Sequence, residues 1–174
     1  MGEKSGDGWA GDTIHTAAGN IMESEILRAL KIPEDKWSVF FPPTDTIAGI
    51  NTDAYDGTYH EIKTVLWDTA AKWIFGSAIS SAYIYQVQHG LFVTGAEEAK
   101  LHCCLMTLAE KHNPFSIENV EERIHTFTFH RGHFDKTAVT MAMYGGMMAH
   151  LTKCYRKGAF PTDGEKKEIL KSFS

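Results

Sequence analysis

Apolar positions along the chain change their period several times, and each change marks an element. Between Thr13 and Leu30, Met22, Ile26, Leu27 and Leu30 recur at helical spacing, which predicts a helix capped near Asp12. Trp37 to Phe41 reads as a strand stopped by Pro42-Pro43. Two further runs, at about residues 47–55 and 58–65, are rich in β-branched and aromatic residues. They flank Asp56-Gly57, a dipeptide that accepts positive φ, and so predict a β-hairpin. Helical patterns follow at about 68–76 and 79–94, the second ending at Gly95. Leu101 to Leu108 and Ile124 to Phe129 read as strands, the latter alternating in polarity. Lys136 to Arg156 has the pattern of a closing helix, which Gly145-Gly146 is placed to kink. The succession predicts an α/β chain with a central mixed β-sheet flanked by helices.

The hairpin carries the most chemistry. In Glu61-Ile62-Lys63 the strand period of two puts Glu61 and Lys63 on one face and Ile62 on the other, toward a core. With Asp53 on the preceding strand, two carboxylates and a lysine are expected at one solvent-facing edge. Hard oxygen ligands of this kind suit Mg²⁺, and a lysine beside them can hold or help deprotonate an attacking water while offsetting charge on a phosphate. These are the parts of a metal-dependent phosphodiester-cleaving site. Alternating Glu and Lys on an edge strand also make a plain solvated ion pair, so the hairpin needs support from elsewhere in the chain.

That support comes from two helices. The helical run Ser81-Ala-Tyr, Gln86-Val-Gln88, and then an apolar stretch ending Val93-Thr94 resembles a helix of the lambda-exonuclease and YqaJ-like viral recombinase nucleases. These belong to the restriction-endonuclease-like superfamily, PD-(D/E)xK. Its Asp, Glu-x-Lys and downstream Gln fall here on Asp53, Glu61, Lys63 and Gln86, in order and with similar gaps. Upstream, Gly19-x-x-x-Glu23 matches the family helix whose glutamate reaches the metal. Glu25 points about 200° away from Glu23 around a helix, so only one of them can face the site. Gly11-Asp-Thr-Ile-His15 offers a competing register, similar to the Gly-x-x-x-His of RecB-type nucleases, in which His15 takes that metal position. The resemblance thus implies a restriction-endonuclease-like fold with Glu23, Asp53, Glu61 and the Ile62 carbonyl as metal ligands. It also implies that Lys63 aligns water, that Gln86 supports Lys63 or the phosphate, and that Mg²⁺, replaceable by Mn²⁺, is the cofactor.

Composition narrows the setting. The chain has 174 residues, enough to bury a substantial core as one domain over 1–174, with residues 1–10 read as a flexible arm and 161–174 as a basic C-terminal tail. No apolar run approaches the ~20 residues of a membrane span, and the polar N-terminus lacks a signal-peptide pattern, so a cytoplasmic protein with no membrane partner is expected. Cys103, Cys104 and Cys154 have no CxxC spacing and read as reduced packing residues. His102, His112, His125, His130 and His133 lack zinc-ligand spacing, and no phosphate loop, nucleophile elbow or dinucleotide fingerprint occurs.

The formal charge of −5 confines any contact with DNA to local basic tracks. Candidates are Arg131 and Lys136, and a cluster of Lys153, Arg156 and Lys157. Trp67, Trp73 and Phe75 could stack on DNA ends or pack, and Met141, Met143, Met147 and Met148 could pack or form an oligomer seam. The expected function is a Mg²⁺-dependent deoxyribonuclease acting on double-stranded DNA ends, of the phage-recombination type. The alternatives are a nicking or structure-specific endonuclease and an inactive DNA-binding module. A ring, as in processive relatives, is expected to keep such an acidic enzyme on DNA, with a trimer as the simplest homo-oligomer.

Overall fold

Gly57 adopts φ 106°, which a side chain would strain, and there turns the chain between β3 (Ala54–Tyr55) and β4 (Tyr59–Leu66). Asp56 Oδ1 accepts the Thr58 N–H at 3.0 Å and closes the turn. The predicted hairpin therefore forms, within a computed structural model that describes residues 14–75, 79–136, 140–159 and 161–171. The expected arm over residues 1–10 lies outside the described residues.

β4 is the organising strand. It pairs with β3 antiparallel, only through Tyr59 and His60, and with β5 (Glu98–Met106) in parallel along its whole length. β6 (Ile124–His130) completes an antiparallel pair with β5, giving a mixed sheet in the order β3-β4-β5-β6. Helices cover both faces. α1 (Ile14–Ala29) buries Ala18, Met22, Ile26 and Leu27 with Ile62, Cys104 and Met106. α2 (Trp67–Ile74) and α3 (Ser81–Thr94) enclose Tyr59, Val65, Val87, Leu91 and Leu101 on the opposite face. A mixed sheet between helices is thus the observed architecture, as the periodicity predicts.

Several boundaries differ from expectation for local reasons. Trp37 to Phe41 yields only β1 (Phe40–Phe41), because Ser38 takes φ 49°, and the expected 47–55 strand is split into β2 (Ile50–Asn51) and β3. β1 and β2 form a separate two-stranded sheet. β5 ends before Leu108, since Thr107 and Glu110 form a reciprocal capping box that starts α4 (Leu108–His112). Thr140 caps α5 (Met141–Arg156), so the closing helix starts later than Lys136; Arg131–Lys136 is a 3-10 helix. α5 runs unbroken through Gly145-Gly146, where a Cβ at Gly145 would lie 3.2 Å from the Phe92 ring. Close packing, rather than a break, explains that glycine. The expected C-terminal tail contains α6 (Asp163–Lys171). All three cysteines are free and buried, as expected. No described helix is long and apolar enough to cross a membrane.

Candidate functional site

Because β3 stops pairing after His60, the edge of β4 from Glu61 onward is left open. A cavity of about 580 Å³ occupies this opening, walled by Gly19, Asn20 and Glu23 of α1, by Asp53, by Ile62, Lys63 and Thr64 of β4, and by Tyr83 and Gln86 of α3. Lys111 of α4 completes the lining. Five of the residues singled out in the sequence, Glu23, Asp53, Ile62, Lys63 and Gln86, converge here. Glu61 lies beside them, bonded to Lys63.

The hydrogen bonds are specific. Asp53 Oδ2 accepts the Ile62 N–H at 2.6 Å, which ties the loop carboxylate to the open strand edge. In a strand the N–H and C=O of one residue point to the same side, so the Ile62 carbonyl is also directed toward that edge. The two Glu61 oxygens are each engaged: Tyr59 donates its hydroxyl to Oε2, and Lys63 donates its ammonium to Oε1. The Lys63 ammonium also sits 5.7 Å from the Tyr83 ring centroid, over its face. The expectation of a solvent-facing edge needs correction here. Glu61 is only 8 % exposed, because Tyr59 and α3 close over it, and Lys63 is half-buried.

Too much negative charge is gathered for the solvent available. Burial, reinforced by the neighbouring Glu61 and Glu23 charges and only partly offset by the Ile62 N–H and Lys63, raises Asp53 to about 7. Glu23 is also raised, by burial first and by Glu61, against an opposing pull from Lys63. For Lys63, burial acts to lower the pKa, but Glu61 and Asp53 outweigh it and hold the ammonium above its ordinary value. Lys111 is lowered by burial. Two carboxylates on one cavity, Glu23 and Asp53, with that of Glu61 beside them, are oxygen donors of the kind that a hard divalent cation takes.

The helix residues sort cleanly. Gln86 is exposed and lies between the main cavity and a neighbouring one of about 370 Å³, which also touches Asp53, Glu61, Tyr85 and His89. Gln88, about 200° away around the helix, is buried. Glu25 turns outward to pair with Arg28 at 2.6 Å, which leaves Glu23 as the glutamate of α1 at the cavity. The His15 side chain lies outside the described residues. Tyr59, fully buried, was missed from sequence, although its place two residues before Glu61 puts it on the same face. A Cβ at Gly90 would come within 2.1 Å of the Tyr59 ring, so this glycine lets α3 lie directly on Tyr59.

No protein-family model and no curated protein sequence matches the chain. Among solved structures, it is similar to LHK-Exo, a lambda-exonuclease-like nuclease solved in complex with dAMP. The match has a TM-score of 0.52 and 13 % identity, over 84 % of this chain and 74 % of that one. The fold is similar to that of a restriction-endonuclease-like exonuclease. At this identity the likeness concerns the fold alone.

The basic candidates fare less evenly. The Arg131 guanidinium donates to Leu91 O at 2.5 Å and Ala96 O at 3.2 Å, and lies 3.6 Å from Glu97. Leu91 O also accepts the Gly95 N–H that caps α3, so the guanidinium adds a second donor there and clamps the turn after the helix, a fold-holding place rather than a free one. Lys153, Arg156 and Lys157 are exposed near the end of α5, with Arg156 reaching Asp45 O at 3.5 Å. The Lys136 side chain lies outside the described residues. Trp73 packs edge-on to Tyr83, whereas Trp67 and Phe75 are 44 % and 86 % exposed. Met141 is buried and Met143, Met147 and Met148 are half-buried, which fits packing.

Proposed function

We propose that this chain is a Mg²⁺-dependent deoxyribonuclease, acting as an exonuclease on double-stranded DNA ends. One observation carries the reading: Glu23 and Asp53 share a cavity with Lys63 at the open edge of β4, with Glu61 bonded to Lys63 beside it, within a fold similar to that of a nuclease. LHK-Exo was solved with dAMP, a deoxynucleoside monophosphate, which favours DNA over RNA as the polymer cleaved here.

Asp53, Glu61, Glu23 and the Ile62 carbonyl would hold the cation. When bound, Mg²⁺ supplies Lewis-acid polarisation of the phosphate and makes water more acidic. The remaining work falls to the chain. Lys63, with its raised pKa, keeps its proton at neutral pH, so it orients water and offsets phosphate charge rather than acting as the base. Tyr59 fixes one oxygen of Glu61, leaving the carboxylate a single orientation toward the cavity. Gln86 projects from α3 and offers an amide to the phosphate or to Lys63.

With Arg131 set aside, Lys136 and the exposed Lys153, Arg156 and Lys157 are the phosphate contacts of this reading. Assembly into a small ring, a trimer in its simplest form, would keep an acidic enzyme on its substrate, and Trp67 at the start of α2 and Phe75 just after its end offer apolar surface for the contact. The test is to incubate the protein with Mg²⁺ and end-labelled linear, circular and single-stranded DNA and to size the products. Mononucleotides released from linear duplex, with circles intact, are expected. Cleavage of closed circles would replace the exonuclease with an endonuclease, and no cleavage of any DNA would overturn the reading.

A further inference from the structure

Away from β4, α5 and α6 bring together three side chains of a different chemistry. His150 and Cys154 stand four residues apart on α5 and therefore share a face. Their ligand atoms, Nε2 and Sγ, lie 3.4 Å apart. Glu165 of α6 joins them, with all three ligand atoms within 4.8 Å of one another. We propose that His150, Cys154 and Glu165 form a binding site for a transition-metal ion of the Zn²⁺ class, which fastens α6 to α5.

The His150–Cys154 spacing is that of two ligands of a tetrahedral site. Zinc bonds of about 2.3 Å to sulfur and about 2.0–2.1 Å to nitrogen place the two ligand atoms about 3.5 Å apart at a tetrahedral angle, close to the separation already present. The donor set excludes Mg²⁺ and Ca²⁺, which take oxygen ligands, and suits a borderline-soft ion. Glu165 lies within 4.8 Å of both, and its carboxylate is already held. Its Oε2 accepts from the Thr162 N–H at 2.7 Å and the Thr162 hydroxyl at 2.8 Å, as ligating carboxylates are commonly held from behind.

Cys154 is buried against an apolar cavity of about 340 Å³ lined in part by Ile47, Leu151 and Pro161, which shields the sulfur on that side. Binding converts the thiol to a thiolate and releases its proton to solvent. Three protein ligands leave the fourth position to water. The bond between α5 and α6 would tie the helix bearing Lys166 and Lys167 to the one bearing Lys153 and Arg156, joining two exposed basic stretches.

Metal titration of the purified chain tests this independently of nuclease activity. The protein carries Asp53→Asn, so that the carboxylate cavity does not compete, and Co²⁺ and Zn²⁺ are added to the metal-free form. One Co²⁺ per chain is expected, with a thiolate-to-cobalt charge-transfer absorption that Zn²⁺ abolishes. Cys154→Ser should lose that absorption. His150→Gln and Glu165→Gln should each weaken Zn²⁺ binding by at least about tenfold in competition with a chromophoric chelator. Circular dichroism confirms that each variant is folded, and His150→Gln, at a half-buried position, stands in should Cys154→Ser fail to fold. No thiolate absorption in the parent protein, or unchanged Zn²⁺ affinity in either His150→Gln or Glu165→Gln, would overturn the site.

Discussion

The two faces of β4 each bury a polar cluster, yet they have opposite characters. Toward α1, His60 Nδ1 and His102 Nε2 are 2.9 Å apart, and the chain is closed by Asp56 on His60 at 3.1 Å and by Thr126 on His102 at 2.8 Å. Every ring nitrogen has a partner. Burial and the His60 neighbour lower His102 to about 3, so it stays neutral. Toward α3, by contrast, Tyr59 and Lys63 engage Glu61 beside an open cavity that also gathers the carboxyls of Asp53 and Glu23, more acid than the one ammonium balances, with Asp53 raised to about 7. A buried polar residue is therefore no marker of function. Capacity left over, facing a space that a ligand can enter, is the useful sign.

The strongest way to break this contrast is to remove Lys63. Lys63→Ala should lower DNA cleavage by about 10²–10³-fold with the far-ultraviolet spectrum unchanged, as loss of one electrostatic stabiliser does. Near-normal hydrolysis would move the chemistry elsewhere. On the other face, His102→Gln should cost about 1–3 kcal/mol in urea unfolding, since His60 or Thr126 loses its partner, while leaving kcat unchanged. A large loss of kcat there would merge the two clusters into one site.

The helix offers a sharper comparison. Gln86→Ala should lose most activity at little cost in stability. The buried Gln88→Ala should do the reverse, destabilising by about 1–3 kcal/mol. Tyr59→Phe keeps the ring against Gly90 but frees Glu61, so Mn²⁺ affinity should fall about tenfold without loss of fold.

The smallest effect is in pH, and its sign differs between the faces. Asp53 binds a proton more tightly folded than unfolded, so its stabilisation is complete below 3.8 and is lost as pH rises toward about 7. His102 behaves oppositely: its contribution is present above 6.5 and is lost as pH falls toward about 3. In metal-free protein, Asp53→Asn should gain stability relative to the parent between about pH 4 and 7, read from urea midpoints. A constant difference across that range would remove Asp53 from the cluster.

Much of the cavity was legible because its signals are local. Asp56-Gly57 fixes the turn, strand alternation places Glu61 with Lys63, and helical rotation separates Gln86 from Gln88 and Glu23 from Glu25. What stayed hidden depends on partners far along the chain. Arg131 looked free until its guanidinium was seen to bind the Leu91 and Ala96 carbonyls across the turn after α3, and Lys111 reaches the cavity only because α4 follows β5. The burial of Glu61 was missed for the same reason, since α3 had to be placed before Tyr59 could close over it. α6 is a different case: Thr162-Asp-Gly-Glu165 carries a capping-box spacing that composition, read as a basic tail, concealed.

The contrast between the faces rests on which one takes up a divalent cation. Calorimetric titration with Mn²⁺ of the parent, Asp53→Asn and His102→Gln decides it directly. Binding in the parent and in His102→Gln, strengthening with pH up to about 7 as Asp53 loses its proton, with loss in Asp53→Asn, is the predicted result. Equal binding by all three proteins, or none by the parent, would contradict it.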